Sequence, residues 1–279
     1  MGYQRHQEGQ VLLISLLVLS IATTVALSLI GRSTTDVSIS NQINESSRAF
    51  GAAEAGIEES LKTGVGTTTP QVLTAGVTYN VVKADIGGAV GVYVFPKKIN
   101  RGTTETLWLV DHTADGTLVE TPTYTATGID LCWSQETTTP AMIVSVVYKT
   151  AGGEYRVAKG AYDPDATRAL TNKFSGVTSS SGGCGTGTGT TYKQTVTFGD
   201  FSINPALDTL LMFRLQPVYS DAIFAVNAGS SSLPLQGAKL ESSGVSSAGV
   251  TRKIVVYQQY RSPPAIFDSV IYSQGSFGH

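Results

Sequence analysis

Residues 11–30, VLLISLLVLSIATTVALSLI, form an uninterrupted run without a charge. As a helix the run is about 30 Å long, enough to cross the hydrocarbon of a bilayer. Thirteen of its twenty residues are Val, Leu or Ile. Together these contribute on the order of −6 kcal/mol to insertion, more than the hydroxyl residues between them remove. The run is therefore expected to insert. It is flanked by MGYQRHQEG and GRSTTDVS, with Arg5 before it and Arg32 just beyond, so positive charge alone does not set an orientation. A cleaved signal peptide, with Ala26-Leu27-Ser28 as a small-x-small site, and an uncleaved signal anchor both remain open at this level.

Beyond the run the pattern stays helical but becomes two-sided. Residues 33–62 contain no proline, and Ile39, Ile43, Phe50, Ile57 and Leu61 recur at spacings of four, seven, seven and four. That spacing puts them on one helical face, with Ala49, Ala52 and Ala53 beside them and Glu54, Glu58 and Glu59 elsewhere. Ile43, Phe50, Ile57 and Leu61 are thus expected to pack the helix on a sheet. Lys62 and Gly64 supply a cationic last turn and a glycine cap. If both halves join, residues 11–62 make one rod of about 78 Å, with Gly31 its weakest point.

After Gly64 the period shortens to that of strands. Short β-branched or aromatic runs stand at 78–82, 90–95, 106–110, 142–148, 154–162, 195–198, 210–215, 222–226, 252–260 and 265–272, separated by turns such as Gly87-Gly88, Asp115-Gly116 and Gly152-Gly153. Residues 175–191, SGVTSSSGGCGTGTGTT, have the composition of a linker or loop. The expected organisation is a leader at 1–9, a transmembrane helix at 10–31 and an amphipathic helix at 32–63. A β-rich lobe follows at 64–174, with 192–279 either a second lobe or the completion of the same sheet. The expected fold class is α+β: a long N-terminal helix packed on a β-rich, mainly antiparallel globular domain.

Composition adds little that changes this picture. Charged residues make up only 14% of the 279-residue chain and the net charge is −2. That balance suits an exported, β-rich surface protein and gives no electrostatic reason to expect nucleic acid as a partner. Cys132 and Cys184 are the whole cysteine set. In an exported domain an even pair favours one disulfide, the alternative being two unpaired thiols. No cofactor or metal is expected. His6, His112 and His279 are scattered, and the cysteine spacing fits neither a redox nor a zinc motif.

The other candidates for chemistry read better as structure. GTGTGTT lacks the Lys-Ser/Thr of a phosphate loop and a helix to follow it. Asp163-Pro164-Asp165 and Asp111/Asp115 have too few oxygen ligands for calcium and read as turns. His112 has no nucleophile placed beside it by motif, and Trp108 and Trp133 fall in strand runs. Catalytic activity is therefore not expected.

One further feature is specific. Gly9 directly precedes the apolar run, Gln10 would be a first mature residue, and Val11, Leu12, Leu13, Ile14, Leu16 and Leu17 follow at once. Later, Asn44 to Phe50 and Ala52-Ala53-Glu54-Ala55-Gly56 complete an A-x-x-A-A-E-A-G stretch. Together these residues resemble the start of type IV pilins, minor pilins above all, and of type II secretion pseudopilins. The resemblance covers roughly residues 9–62. It implies cleavage between Gly9 and Gln10 and N-methylation by a prepilin peptidase. It also implies an inner-membrane assembly platform, an assembly ATPase, membrane lipid and other pilin-like subunits as partners. The site implied is the cytoplasmic membrane, single-pass, with the globular part outside and a surface filament after assembly. The chain departs from the pattern at Ile14, where most major pilins carry a glutamate; subunits lacking it tend to be minor. A signal-anchored surface binding protein and a surface hydrolase are the rival classes.

Overall fold

The computed structural model describes residues 8–88 and 90–265. The protein is α+β: one long helix, α1 (Glu8–Thr63), precedes twelve strands arranged in three four-stranded sheets. The strands are β1 (Gln71–Thr74), β2 (Val77–Gly87), β3 (Val90–Val94), β4 (Glu105–Trp108), β5 (Gly128–Trp133) and β6 (Ala141–Lys149), then β7 (Tyr155–Tyr162), β8 (Tyr192–Thr197), β9 (Thr209–Val218), β10 (Phe224–Ser232), β11 (Leu235–Val245) and β12 (Thr251–Gln259). A short helix, α2 (Ala166–Asn172), follows β7. The sheet orders are β1-β2-β11-β12, β3-β10-β5-β8 and β4-β9-β6-β7. The strand readings up to residue 260 fall on these strands, whereas the run at 265–272 lies outside the described residues save Ala265.

The chain forms two compact units, one of residues 1–83 with 240–256 and one of 84–239 with 257–279. It therefore does not divide at 175–191. That segment is a loop of the second unit: Ser179 and Lys193 exchange backbone hydrogen bonds at 2.9 Å, and Thr191 N–H donates to Trp133 O at 2.8 Å. Strands from both sides of it pair with one another, β9 with β4 and β6, and β10 with β3 and β5. Residues 192–232 thus complete sheets begun earlier in the chain.

In the first unit, the C-terminal part of α1 lies on the stretches of β2 and β11 that belong to that unit. Here the packing face differs from the expected one. Ile57 is buried, but Ile43, Phe50 and Leu61 stand out in solvent at 63%, 47% and 44% exposure. The buried face is built from Ala49, Ala52, Ala53, Gly56, Ile57 and Ser60, rotated by roughly 80° about the helix axis from the bulky stripe. The reason is backbone proximity. A Cβ on Gly244 of β11 would sit 2.0 Å from Ala49 O and 2.6 Å from Ala53 N. A Cβ on Gly56 would meet Ser242 Oγ at 2.5 Å and Tyr79 Cδ2 at 2.8 Å. Only small residues allow helix and strand to come so close, so large side chains are turned away from the sheet. The tip of the β11–β12 hairpin is clasped from the helix: the Glu45 carboxylate accepts from Ala248 N–H at 3.3 Å and Arg252 Nε–H donates to Ser46 Oγ at 2.8 Å. Gly64 closes the helix as expected, with φ +74° and its N–H donating to Ser60 O at 2.8 Å.

The second unit owes its stability to a single apolar core drawn from two sheets. Leu131, Trp133, Val196, Phe224 and Val226 come from one, and Leu107, Met142, Val144, Val146, Leu210, Phe213 and Leu215 from the other. Trp133 is fully buried and its indole N–H donates to Pro140 O at 2.9 Å, which satisfies the one polar atom it takes inside. Cys132 and Cys184 form a disulfide with Cα atoms 5.7 Å apart, tying the glycine-rich loop to β5. Buried Gln236 does the work of a short strand. Its side-chain amide donates to Trp108 O at 2.9 Å and its carbonyl oxygen accepts from Trp108 N–H at 2.7 Å.

Candidate membrane and assembly helix

Helix α1 is continuous over 56 residues, about 84 Å. It runs unbroken through Gly31, whose carbonyl accepts from the hydroxyls of Thr34 and Thr35 at 2.9 Å each. Val11, Leu12, Leu13, Ile14, Leu16 and Leu17 are 54–69% exposed, and the helix is exposed on every side from residue 11 to residue 30. Apolar side chains therefore surround the whole circumference rather than one stripe. A helix of that kind is stable only where lipid or other apolar helices cover it. Four of its five hydroxyls are satisfied within the helix: Ser15, Ser20, Thr23 and Thr24 each donate back to a carbonyl one turn earlier, at 2.7–2.9 Å. The segment is long and apolar enough to cross a membrane.

Gly9 and Gln10 lie in the first turn of α1; their side chains, and the residues before Glu8, are outside the described residues. Ile14 points into the surroundings like its neighbours, at 57% exposure. Beyond the apolar run, exposed apolar residues continue with Ile39, Ile43 and Phe50 on one side of the helix and Val37 on nearly the opposite side. Thus Ile43, Phe50 and Leu61 join the exposed surface of the helix, while Ile57 alone of the four reaches the sheet. Sequence reasoning missed the Ala/Gly/Ser face and Gly244 as its counterpart. The signal was present in the alanine- and glycine-rich stretch 49–56, but hydrophobic periodicity weights large residues and passes over small ones.

Comparison with protein-family models, with curated proteins and with solved structures found no match.

The positions weighed for other chemistry have structural partners. Asp165 caps α2, accepting from Thr167 N–H and Arg168 N–H at 3.0 and 3.1 Å. Asp163 is buried and holds Arg168 through Nε at 2.7 Å, with Asn172 Nδ2 donating at 3.1 Å. The Arg168 guanidinium lies 4.0 Å over the Tyr219 ring, and its pKa is raised chiefly by the hydrogen bond to Asp163. Asp115 closes a turn with Thr113 and Thr117. Among the described residues no three or more His, Cys, Asp or Glu side chains group as a metal site.

His112 stacks on Tyr260 at 3.9 Å and meets Trp108 edge-on at 4.6 Å, with Nδ1 buried and without a hydrogen-bond partner. Burial lowers its pKa below the ordinary histidine value, against a smaller opposing pull from Asp111. The unfolded chain therefore takes up a proton at higher pH than the folded one. The neutral stack contributes its stability fully above about pH 6.5, and that contribution is lost as the pH falls through the folded pKa. Thermal midpoints of wild type and His112→Phe, compared from pH 7.5 to 5, should show a steeper acid loss for wild type. Parallel curves would mean that the ring titrates equally in both states.

Proposed function

We propose that the protein is a pilin-like structural subunit, held in the cytoplasmic membrane by residues 10–31 with its β-rich units outside the cytoplasm. One observation carries the reading. A single unbroken helix is apolar and exposed around its whole circumference in its first half, while its last turns are locked onto a sheet by an Ala/Gly/Ser face. Such a helix has two states in which its surface is covered: singly in lipid, or bundled with copies of itself or of similar subunits. Transfer between them exchanges lipid contacts for protein contacts, so packing and not dehydration supplies the assembly energy. Ile14 keeps a carboxylate out of the apolar run, which eases insertion by about 2.5–3.5 kcal/mol relative to a glutamate there. It also leaves the subunit without a charged partner for a neighbour's amine, in keeping with a minor, rather than a shaft-forming, place in a pilus, pseudopilus or competence filament. The role requires no catalysis and no cofactor.

The reading places prepilin cleavage between Gly9 and Gln10, followed by engagement of an inner-membrane platform. N-terminal sequencing of protein recovered from membranes and from sheared filaments should begin at Gln10. Gly9→Val should remain uncut and stay with the membranes, because Arg5 and Glu8 would then have to enter the bundle. A mature start at Met1 or near Leu29, unchanged by Gly9→Val, would instead identify a signal-anchored or secreted surface protein.

A further inference from the structure

Between the apolar run and the docked end of α1 lies a stretch of helix that the rest of the first unit leaves bare. Every residue from 31 to 44 is exposed. Ala248 and Val250 of the β11–β12 hairpin face Thr34, Ser38 and Gln42 across an open groove without burying them. Hydrogen bonds from the hairpin begin at Glu45, and among the described residues no side-chain hydrogen bond ties 31–44 to another element. The flanking parts of α1 are held. In a bilayer, residues 11–30 keep every backbone group satisfied by staying helical. Residues 49–60 are fixed by the Ala/Gly/Ser face on the sheet.

The sequence of the bare stretch, GRSTTDVSISNQIN, does not favour a helix by itself. Twelve of its fourteen residues, all but Arg32 and Gln42, rank below the strong helix formers. Eight of the twelve are Ser, Thr, Asp or Asn, whose side chains offer the backbone competing hydrogen bonds. Thr34 and Thr35 both donate to Gly31 O at 2.9 Å, a back-bonding that weakens and bends a helix. Gly31 adds backbone freedom at the same point. The two charges, Arg32 and Asp36, stand one turn apart in the less favourable order, cation first. Helicity here is propagated from the two held ends, which supply the nucleus that the stretch could not form alone.

We propose that residues 31–44 work as a tether, a length of helix that opens and closes in the membrane-held protein while both ends of α1 stay fixed. The inference rests on the reading of α1 as a membrane anchor. Closed, the stretch is about 21 Å long; open, it can reach roughly 46 Å. Opening lets the first unit change its height and tilt above the bilayer without extracting the apolar run or undocking the Ala/Gly/Ser face. Such freedom suits a subunit that has to meet its neighbours while still held in lipid.

The test is amide hydrogen exchange on the full chain, one copy per lipid nanodisc, for wild type and Ser38→Ala/Ser40→Ala/Asn41→Ala. Wild-type amides at 35–44 should exchange on the order of 100-fold faster than those at 52–60 and at 15–28. The triple variant puts a strong helix former at three exposed sites and should slow 35–44 by roughly ten-fold, with 52–60 unchanged. Wild-type protection at 35–44 equal to that at 52–60 would overturn the proposal, and so would a triple variant that exchanges like wild type. Residues 15–28 test the underlying reading separately. Fast exchange there would show that the run is not in the bilayer and would overturn both, whereas slow exchange at 15–28 and 35–44 alike overturns the tether alone.

Discussion

Gly244→Val should undock α1 from its sheet and lower the stability of the first unit by about 3 kcal/mol or more. The expected size follows from what the added carbon meets. It would lie 2.0 Å from the Ala49 carbonyl oxygen and 2.6 Å from Ala53 N, which are backbone atoms of a helix and not the free end of a side chain. No rotamer change relieves that clash; the helix has to move off the strand as a body. The movement would open the contact with Val77 and Val81 around Ala52 and uncover buried Ser242. Phe50→Asp is the matched control. The ring stands 47% exposed on a helix face turned well away from the one that meets the sheet, so its loss should change the thermal midpoint little, within about 1 kcal/mol. Thermal unfolding of both variants decides the matter. A loss for Phe50→Asp as large as that for Gly244→Val would show that the helix docks through its bulky stripe after all.

The second large effect is expected in the apolar run. Leu17 and Ile21 are one turn apart on the helix surface and both more than half exposed. Replacing both by arginine adds about 5–7 kcal/mol of insertion cost and removes about 1 kcal/mol of favourable transfer, which cancels the roughly −6 kcal/mol available from the whole run. Leu17→Arg/Ile21→Arg should therefore be released from membranes by alkaline carbonate, whereas wild type and Leu17→Ala/Ile21→Ala should resist it. Retention of the double arginine variant would mean that something other than this run holds the protein on the membrane. The substitutions lie far along the helix from the Ala/Gly/Ser face, so the disulfide and the β-rich units should form as before.

Much of the architecture was legible because it rests on local patterns. A charge-free run of twenty residues, a proline-free helical continuation capped by Gly64, and alternating β-branched runs each state their own secondary structure. Even so, β5 and β11, as well as the four-residue β1, escaped the pattern. Gly128 and Asp130 dilute the first, and LQGAKLESSGV spends most of the second on small and polar residues with little strand preference. Both are strands because neighbours pair with them: β5 lies between β10 and β8, and β11 has neighbours on either side. Helix α2 was missed for a similar reason, since its seven residues rest on the Asp165 cap and on the Asp163–Arg168 pair rather than on a hydrophobic period.

The sequence by itself determined that this chain has a helix able to cross a bilayer, that the helix continues beyond the apolar run, and that the remainder is β-rich. These follow from the composition and period of contiguous residues, which any local environment must respect. Only the tertiary structure decided which face of the helix meets the sheet, where the chain divides into units, and that the glycine-rich segment is a loop tied to β5 through Cys132 and Cys184. Those choices depend on how closely two backbones approach. At the contact of α1 with β11 the distance is set by Gly244, 188 positions along the chain from Gly56 (244 − 56), so no reading of the helix alone could have turned Phe50 outward.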